Sequence, residues 1–351
     1  MFQLTDDVRK RYDAFWETEA CGRCCLFMSL RREPCEAPPQ APDDIAARWE
    51  DIEWRTRQQA WQVANTQYFA EGFPNAFVNF GPGCLSAMIG GSHRWAERTV
   101  WFENEAVITD WTSPPPPVLD HTGAMYRLTE EYTRSLLKSG ESCVSVPDIG
   151  GTFDIIAALR GTQNLLMDLY DSPDEIHAYV KRLQPVWRDY YQRCGWWTLA
   201  VQGCMSSWMP IWSDRAYYPL QCDFSAMISP DMFAEFILPD LAYQTEFLAR
   251  SIYHLDGPGE LPHLKQLLAL PRLNAIQWTP GEGHPDLGDA CWHALYREIQ
   301  AAGKGLVLLG VPPERLEGLL GGISQKGLFI SCSPRDEQQA RELIRIAECA
   351  K

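Results

Sequence analysis

Short apolar runs alternate with longer amphipathic segments along most of the chain. The runs are almost continuously apolar, which is typical of strands that are covered on both faces. Eight such runs occur, at residues 26–30, 76–80, 143–147, 198–203, 251–257, 275–281, 305–311 and 327–333.

Segments with helical periodicity lie between most of these runs. Two of them begin with Ser-Pro-Asp, at Ser172 and Ser229, which supplies an N-cap residue and an acidic first turn. Strand–helix alternation repeated eight times predicts an α/β protein with a single (β/α)8 barrel over residues 1–351, of which residues 1–20 form an N-terminal helical extension. An open doubly wound sheet is the alternative fold. Its nucleotide-binding form is disfavoured because no Gly-x-Gly-x-x-Gly motif follows the first strand.

Two connections are longer than a normal crossover between strands. Residues 81–136 follow the second predicted strand, and residues 203–227 follow the fourth. Both begin at the carboxyl end of a strand, where barrels build their active sites. We therefore expect long functional loops after strands two and four.

Composition and charge narrow the classes of function. The chain has 351 residues, of which 46% are hydrophobic, and its 31 basic and 46 acidic residues give a formal charge of −15. This balance argues against a nucleic-acid or anionic membrane surface and disfavours a polycarboxylate substrate. No apolar run approaches the roughly 18–20 residues that cross a bilayer, and the charged N-terminus has no signal-peptide core, so we expect a cytoplasmic protein. The 12 cysteines are then expected to be reduced and mostly buried.

Polar or aromatic residues stand at or just after the ends of six predicted strands. The carboxyl ends of barrel strands meet at one mouth, so these side chains are expected to converge there. They are Asn79, Asp148, Gln202, His254, Asp256, Gln277, Trp278 and Cys332. The alternative for each is a side chain that only satisfies backbone groups at a strand end.

The pair His254 and Asp256 is the most informative of these. Residues i and i+2 of a strand lie on the same face, so both side chains can point into the mouth. Cys332 stands at the matching end of the last strand, and imidazole, carboxylate and thiolate are all zinc ligands. Three protein ligands would leave a position open for substrate. The alternative is a hydrogen-bonded pair together with an unrelated buried thiol.

Two other motifs carry weaker signals. Cys21, Cys24 and Cys25 have zinc or redox spacing, but no second pair completes such a site, so we interpret them as buried or incidental thiols. Residues 281–284, Gly-Glu-Gly-His, follow the sixth predicted strand and are interpreted as a turn, with a ligand or substrate contact as the alternative.

Several segments resemble the uroporphyrinogen decarboxylase superfamily. Residues 221–239, QCDFSAMISPDMFAEFILP, are similar to its segment with an aspartate before a Ser-Pro-x-x-Phe-x-Glu-Phe-x-x-Pro helix start. Residues 253–257, YHLDG, resemble the His-x-Cys-Gly of its zinc-dependent corrinoid methyltransferase branch, and the ending after residue 327 resembles that branch's C-terminal cysteine. Residues 147–161 resemble the Gly-Pro-x-Thr segment after strand three. The resemblance runs from about Val144 to the C-terminus.

The resemblance implies a zinc-dependent enzyme that moves a methyl group between a corrinoid protein and a small-molecule thiol, hydroxyl or amine. The zinc ligands would be His254, Cys332 and the position of Asp256, where the family has cysteine. An aspartate there makes the zinc a harder Lewis acid, or leaves the metal absent. Cobalamin would come only through the partner protein, because this chain has no room for a cobalamin domain. Asp223 matches an active-site position of the superfamily, and the substrate pocket would be lined by Asn79, Asp148, Gln202, Trp212, Tyr253 and Trp278.

Two further hypotheses stay open. One is a metal-free lyase on a smaller carboxylic acid, with Asp223 stabilising a protonated intermediate and His254 as general acid or base. Porphyrinogen decarboxylation itself is disfavoured, because Arg31 and Arg32 point in different directions from a strand and poorly replace the family's paired-arginine clamp.

The third hypothesis is a non-catalytic barrel that binds a small ligand. Its binding wall would be an aromatic cluster in the second long loop, and a mini-core is the alternative role for those rings. The cluster comprises Trp208, Trp212, Tyr217 and Tyr218. The oligomeric state stays open.

Overall fold

The computed structural model describes residues 2–33, 36–102 and 106–350. Its strands are β1 (Cys25–Arg31), β2 (Thr66–Ala70), β3 (Asn75–Ala76), β4 (Arg94–Trp95), β5 (Val100–Trp101), β6 (Cys143–Val144), β7 (Tyr217–Leu220), β8 (Arg250–Asp256), β9 (Ala275–Thr279), β10 (Gly305–Leu309) and β11 (Leu328–Cys332). No helix in the described ranges is long and apolar enough to span a membrane.

The α-helices of the described residues fall before and after β7. Those before β7 are α1 (Asp6–Trp16), α2 (Ile45–Glu50), α3 (Ile52–Ala64), α4 (Leu85–Met88), α5 (Ala124–Ser139), α6 (Thr152–Arg160), α7 (Thr162–Asp171), α8 (Pro173–Tyr191) and α9 (Trp197–Gln202). Those after β7 are α10 (Pro230–Met232), α11 (Leu238–Phe247), α12 (Leu264–Leu268), α13 (His293–Ala301), α14 (Leu316–Leu320) and α15 (Glu337–Cys349).

The central sheet has seven strands in the order β2-β1-β11-β10-β9-β8-β7. All neighbours are parallel except β2, which pairs antiparallel with β1. A separate parallel pair is formed by β3 and β6. The predicted α/β class with a parallel-dominated sheet is confirmed. Between β6 and β7 the described residues form no continuous ladder, and the Val146 N–H donates to the Ser206 carbonyl of the intervening segment at 3.1 Å.

The predicted strands differ in how well they match. The first predicted strand coincides with β1, and the last four coincide with β8 to β11. The second and third predicted strands form only the two-residue strands β3 and β6.

The predicted fourth strand at 198–203 is wrong. These residues lie in α9, which continues α8 through a π-helical turn at Gln192–Trp196 and ends at Gly203 in the left-handed conformation, with φ 72°. The strand that follows β6 along the chain is β7, inside the segment that we expected to be a long loop. Apolar residues of this helical run, such as Trp196 and Val201, are exposed at 48% and 41%, so their apolar character does not mark a buried strand.

Side-chain alternation gives the central strands two distinct faces. Inner residues of seven strands, including Phe27, Ile252 and Phe329, contact one apolar cluster that also contains Tyr12 and Trp16 of α1. Outer residues pack against the surrounding helices. Inner side chains from β1 and β7, at opposite sides of the sheet, therefore share one interior, which α1 covers at one end.

A buried ion pair stands beside this covered end. The Glu71 carboxylate is fully buried and accepts hydrogen bonds from the Arg23 guanidinium at 2.5 and 3.0 Å and from the Leu26 N–H at 2.8 Å. Arg11 donates to it at 3.3 Å, and the Tyr12 hydroxyl donates to the Glu71 carbonyl. The charge is thus matched and hydrogen-bonded, which a buried carboxylate requires.

Replacing Glu71 with glutamine is expected to lower the free energy of unfolding by about 3–5 kcal/mol, because the buried Arg23 charge loses its partner. Denaturant midpoints followed by circular dichroism measure the change. Glu130→Gln is the matched control: it breaks the exposed Glu130–Arg134 pair of α5 and is expected to matter by less than about 0.5 kcal/mol. Equal midpoints for the two variants would contradict a stabilising role for the buried pair.

Candidate functional site

Asp223, His254 and Asp256 come together at the carboxyl ends of two neighbouring strands. One ligand atom from each lies within 4.8 Å of the others. His254 and Asp256 share the inner face of β8, and Asp223 opens a short 3-10 turn, Asp223–Met227, after β7. Since β7 and β8 pair in parallel, their ends meet at one edge, and the three side chains converge there.

Gln277 determines the orientation of the His254 ring. It lies opposite His254 in the β8–β9 register, and its side-chain nitrogen donates to the Trp278 carbonyl at 2.9 Å and to Thr279 Oγ1 at 2.7 Å. The amide oxygen of Gln277 therefore faces His254 and accepts a hydrogen bond from Nδ1. In the neutral ring, Nε2 is left with its lone pair, and it lies 4.0 Å from Asp256 Oδ2.

The Trp208 ring adds an apolar wall to this arrangement. It meets the His254 ring edge-on, with ring centroids 5.1 Å apart. This contact restricts the movement of the imidazole ring.

Three further carboxyl groups surround Asp223. The two oxygens of Asp154 accept hydrogen bonds from the backbone N–H groups of Asp223 and Phe224, at 3.2 and 2.9 Å. Glu260 is fully buried and accepts from the Tyr253 hydroxyl at 3.4 Å. Asp148, just after β6, accepts from the Gly150 N–H at 3.1 Å.

Burial and mutual repulsion raise the pKa of all three groups. Burial is the larger cause in each case, and the Asp223 charge is the next. The pKa is raised to about 7 for Asp148, about 8 for Asp154 and about 9 for Glu260. These carboxyls therefore hold protons at a pH where ordinary carboxyls are ionised.

A glycine allows Asp154 to reach the Asp223 turn. A Cβ atom at position 151 would lie 2.1 Å from the Gln221 carbonyl oxygen, so only glycine fits before α6. The first turn of α6, with Asp154 in it, can thus approach the end of β7.

The structure does not bring Cys332 to the other predicted metal ligands. In the parallel register of β1 and β11, Cys332 lies opposite Met28 on the outer face, and the inner position belongs to Ser331, opposite Phe27. Burial raises the pKa of the Cys332 thiol to about 12. Within the described residues, the third member of the ligand group is Asp223.

Two predicted substrate-binding residues form hydrogen bonds with the backbone. The Asn79 side chain accepts from the Gly81 N–H at 2.9 Å and so forms a turn. The Gln202 amide bonds both the N–H and the carbonyl of Val144, at the start of the strand that Asp148 follows. Gln202 thus lies at the opposite end of that strand from the site.

The three predicted aromatic pocket residues are also core residues. Trp212 is 6% exposed, and its carbonyl accepts from Trp16 of α1. Tyr253 and Trp278 are fully buried on the outer face, where Trp278 packs on Trp292 with centroids 5.1 Å apart. Tyr217 and Tyr218 are buried as well, so of the aromatic cluster only Trp208 contacts the site.

The two weaker motifs are a group of thiols, of which Cys21 is exposed, and a turn after β9. Cys24 and Cys25 are buried on opposite sides of β1, in different parts of the core. Gly281 and Gly283 both have positive φ, which a turn requires. Arg31 stacks on Trp61 at 5.1 Å.

Sequence reasoning missed Asp154 and Glu260. Both follow glycines and lie in the first turn of the helix that comes after a strand. Strand-end positions do not include these turns. The acidic residues in the first turn of the helix after each strand are the signal that would have found them.

A cavity of about 300 Å³ opens beside Asp223. Its apolar walls include Trp101, Phe102 and Phe224, and its polar lining includes Asp154, Asp223 and Gln221. The cavity connects the acidic site with the excursion after β3, of which residues 103–105 lie outside the described residues.

Comparison with known proteins identifies a similar fold. A methyltransferase from Methanosarcina mazei superposes with a TM-score of 0.62 over 97% of this chain and 98% of its own, at 9% sequence identity. No model of a known protein family matches the sequence. None of the curated proteins matches it either.

The buried carboxyls predict that stability falls as pH rises. A carboxyl whose pKa is raised in the folded state binds more protons there than in the unfolded chain, so its stabilising contribution is lost as pH rises from about 4.5 towards about 9. The free energy of unfolding of the wild type is expected to fall between about pH 5 and pH 8. In Glu260→Gln this fall should be smaller by at least about 1 kcal/mol.

Denaturant titrations at the two pH values measure this difference. The exposed Glu342→Gln serves as the control and should leave the slope unchanged. A Glu260→Gln slope equal to that of the wild type would show that Glu260 is not the group responsible.

Proposed function

We propose that the chain is a (β/α)8-barrel methyltransferase with a zinc site formed by Asp223, His254 and Asp256. It would move a methyl group between a corrinoid protein and a heteroatom of a small molecule. The observation that carries this proposal is the convergence of the three ligand atoms within 4.8 Å, with the His254 Nε2 lone pair left free.

The residues present fit a divalent metal ion. Zinc accepts imidazole nitrogen and carboxylate oxygen, and three protein ligands leave a coordination position open for a substrate. The Gln277 amide gives the His254 Nδ1–H the kind of partner that metal-binding histidines have in proteins. Asp223 takes the place that the sequence resemblance assigned to Cys332, so all three ligands are harder than thiolate.

The bound metal would act as a Lewis acid that lowers the pKa of the substrate heteroatom and holds it in position. The residues of the chain supply the rest. Gln277 and Trp208 fix the His254 ring, and Asp154 fixes the backbone of the turn that carries Asp223. A proton released by the substrate can be held at the Asp148 carboxyl, whose pKa is raised to about 7.

Two independent similarities support methyl transfer. The sequence from about Val144 onward resembles the zinc-dependent corrinoid methyltransferase branch of the uroporphyrinogen decarboxylase superfamily. The fold is similar to that of a methyltransferase from Methanosarcina mazei. The corrinoid would be supplied in trans by a partner protein.

Protein purified without a histidine tag is expected to contain about one zinc per chain. His254→Gln and Asp223→Asn should lose it, whereas Cys332→Ser should retain it, because Cys332 faces the outer core. Elemental analysis of the four proteins tests the ligand set. Loss of zinc in Cys332→Ser but not in Asp223→Asn would overturn the proposed ligands. It would support Cys332 as the third ligand, as the family resemblance implies.

Substitution of Gln277 is expected to slow methyl transfer by about 10- to 100-fold, because the His254 ring loses its orienting partner. The assay follows the absorbance of methylcobalamin with thiol, alcohol and amine acceptors, using Gln277→Leu. Trp278→Phe is the matched control from the outer face of the same strand and should keep near-normal rates. No turnover by the zinc-loaded wild type with any acceptor would count against the proposal.

A metal-free lyase is the second candidate, and the protonated carboxyls favour it. Asp148, Asp154 and Glu260 are placed beside Asp223 with a raised pKa, which suits general acids. This candidate predicts an activity on small carboxylic acids that chelators leave unchanged. Absence of zinc in the wild type would favour it over methyl transfer.

A further inference from the structure

The cavity beside Asp223 has walls and charges that select one kind of ligand. Trp101 and Phe102 form one part of its wall, and Phe224 forms another. At about 30 Å³ per molecule in the liquid, its volume of about 300 Å³ corresponds to about ten waters, which suits a small organic molecule. Aromatic faces of this kind attract organic cations.

The charge around the cavity has one sign. Asp223 supplies the negative charge of the lining, since Asp154 holds a proton, and no arginine or lysine is among the described lining residues. The charges that act on Asp148, Asp154 and Glu260 are all other carboxylates, and the one cationic group acting on Asp223 is His254. An anionic ligand would meet uncompensated repulsion here.

Gln221 provides a third feature. It is 6% exposed and lines the cavity. Its side-chain amide therefore offers a ligand one polar contact within an otherwise apolar and acidic cavity.

We infer that this cavity binds a small alkylammonium cation, with the positive group between the aromatic rings and Asp223. The inference rests on the proposed function only in taking this cation to be the recognition group of the substrate. It narrows the substrate to a compound that carries an ammonium group beside the thiol, hydroxyl or amine that reacts. The cavity contacts and the charges belong to the protein with or without a metal ion.

Three isosteric probes test the inference on the full chain after removal of metal with a chelator. They are choline, its uncharged carbon analogue tert-butylethanol (3,3-dimethylbutan-1-ol), and the carboxylate anion tert-butylacetate (3,3-dimethylbutanoate). Titration calorimetry is expected to show choline binding at least about tenfold more tightly than tert-butylethanol, and tert-butylacetate more weakly still. Equal affinities for choline and tert-butylethanol would overturn the inference.

Variants separate the charge from the aromatic wall. Asp223→Asn should weaken choline binding about tenfold and leave tert-butylethanol unaffected. Trp101→Ala should weaken choline binding about threefold or more. Trp196→Ala is the control. Trp196 is 48% exposed and Trp101 is 53% exposed, but Trp196 lies outside the cavity lining. Equal choline affinities for the Trp101 and Trp196 variants would remove the aromatic contact from the inference.

The cation site and the zinc site share Asp223, but the two proposals can fail separately. Choline binding by a chain that is purified without a chelator and still contains no zinc would support the cation site and count against the metal-dependent proposal. Zinc binding without a preference for choline would support the metal site and count against the cation site.

Discussion

Alternation of side chains along the parallel strands decides what the site contains. On β8 the alternation places His254 and Asp256 inside and Tyr253 outside. On β11 it places Ser331 inside and Cys332 outside. A shift of one residue reverses the faces, and no strand can present two consecutive residues to the same space. The side chains that converge are therefore two carboxylates and an imidazole, and the Cys332 thiol is not among them.

The second constraint is electrostatic. Five acidic side chains meet at one edge of the sheet, where burial makes ionisation costly. The protein tolerates them by hydrogen bonds from backbone N–H groups and by keeping several of them protonated. A cation bound at this edge, whether a metal ion at Asp223 and His254 or an ammonium group in the adjoining cavity, would relieve the repulsion. The Glu71–Arg23 pair at the covered end shows the opposite solution, in which the protein supplies its own counter-charge.

The region from α8 to β7 shows how local sequence can mislead. Residues 198–203 contain Thr, Leu and Val in a short apolar run, a pattern that favours a strand. The helix nevertheless continues from α8 through the π-helical turn, and the exposed Trp196 and Val201 lie on its surface. The strand forms later, at Tyr217–Leu220, where four consecutive buried residues can pair with β8. Tertiary pairing, rather than β-propensity, selected the segment.

The sequence by itself determined the α/β class, the five longest parallel strands that were predicted, and the inward pair His254 and Asp256. These follow from local periodicity, because residues two apart on a strand must share a face. It also pointed to Asp223 through a family resemblance. Only the tertiary structure decided that Asp223 joins this pair and that Cys332 lies on the outer face of its strand. It also decided that Asp154 and Glu260 lie close to Asp223. Strands covered on both faces are apolar throughout, so their sequence does not say which face is inside. Residues in neighbouring turns meet only through the register of the strands that carry them.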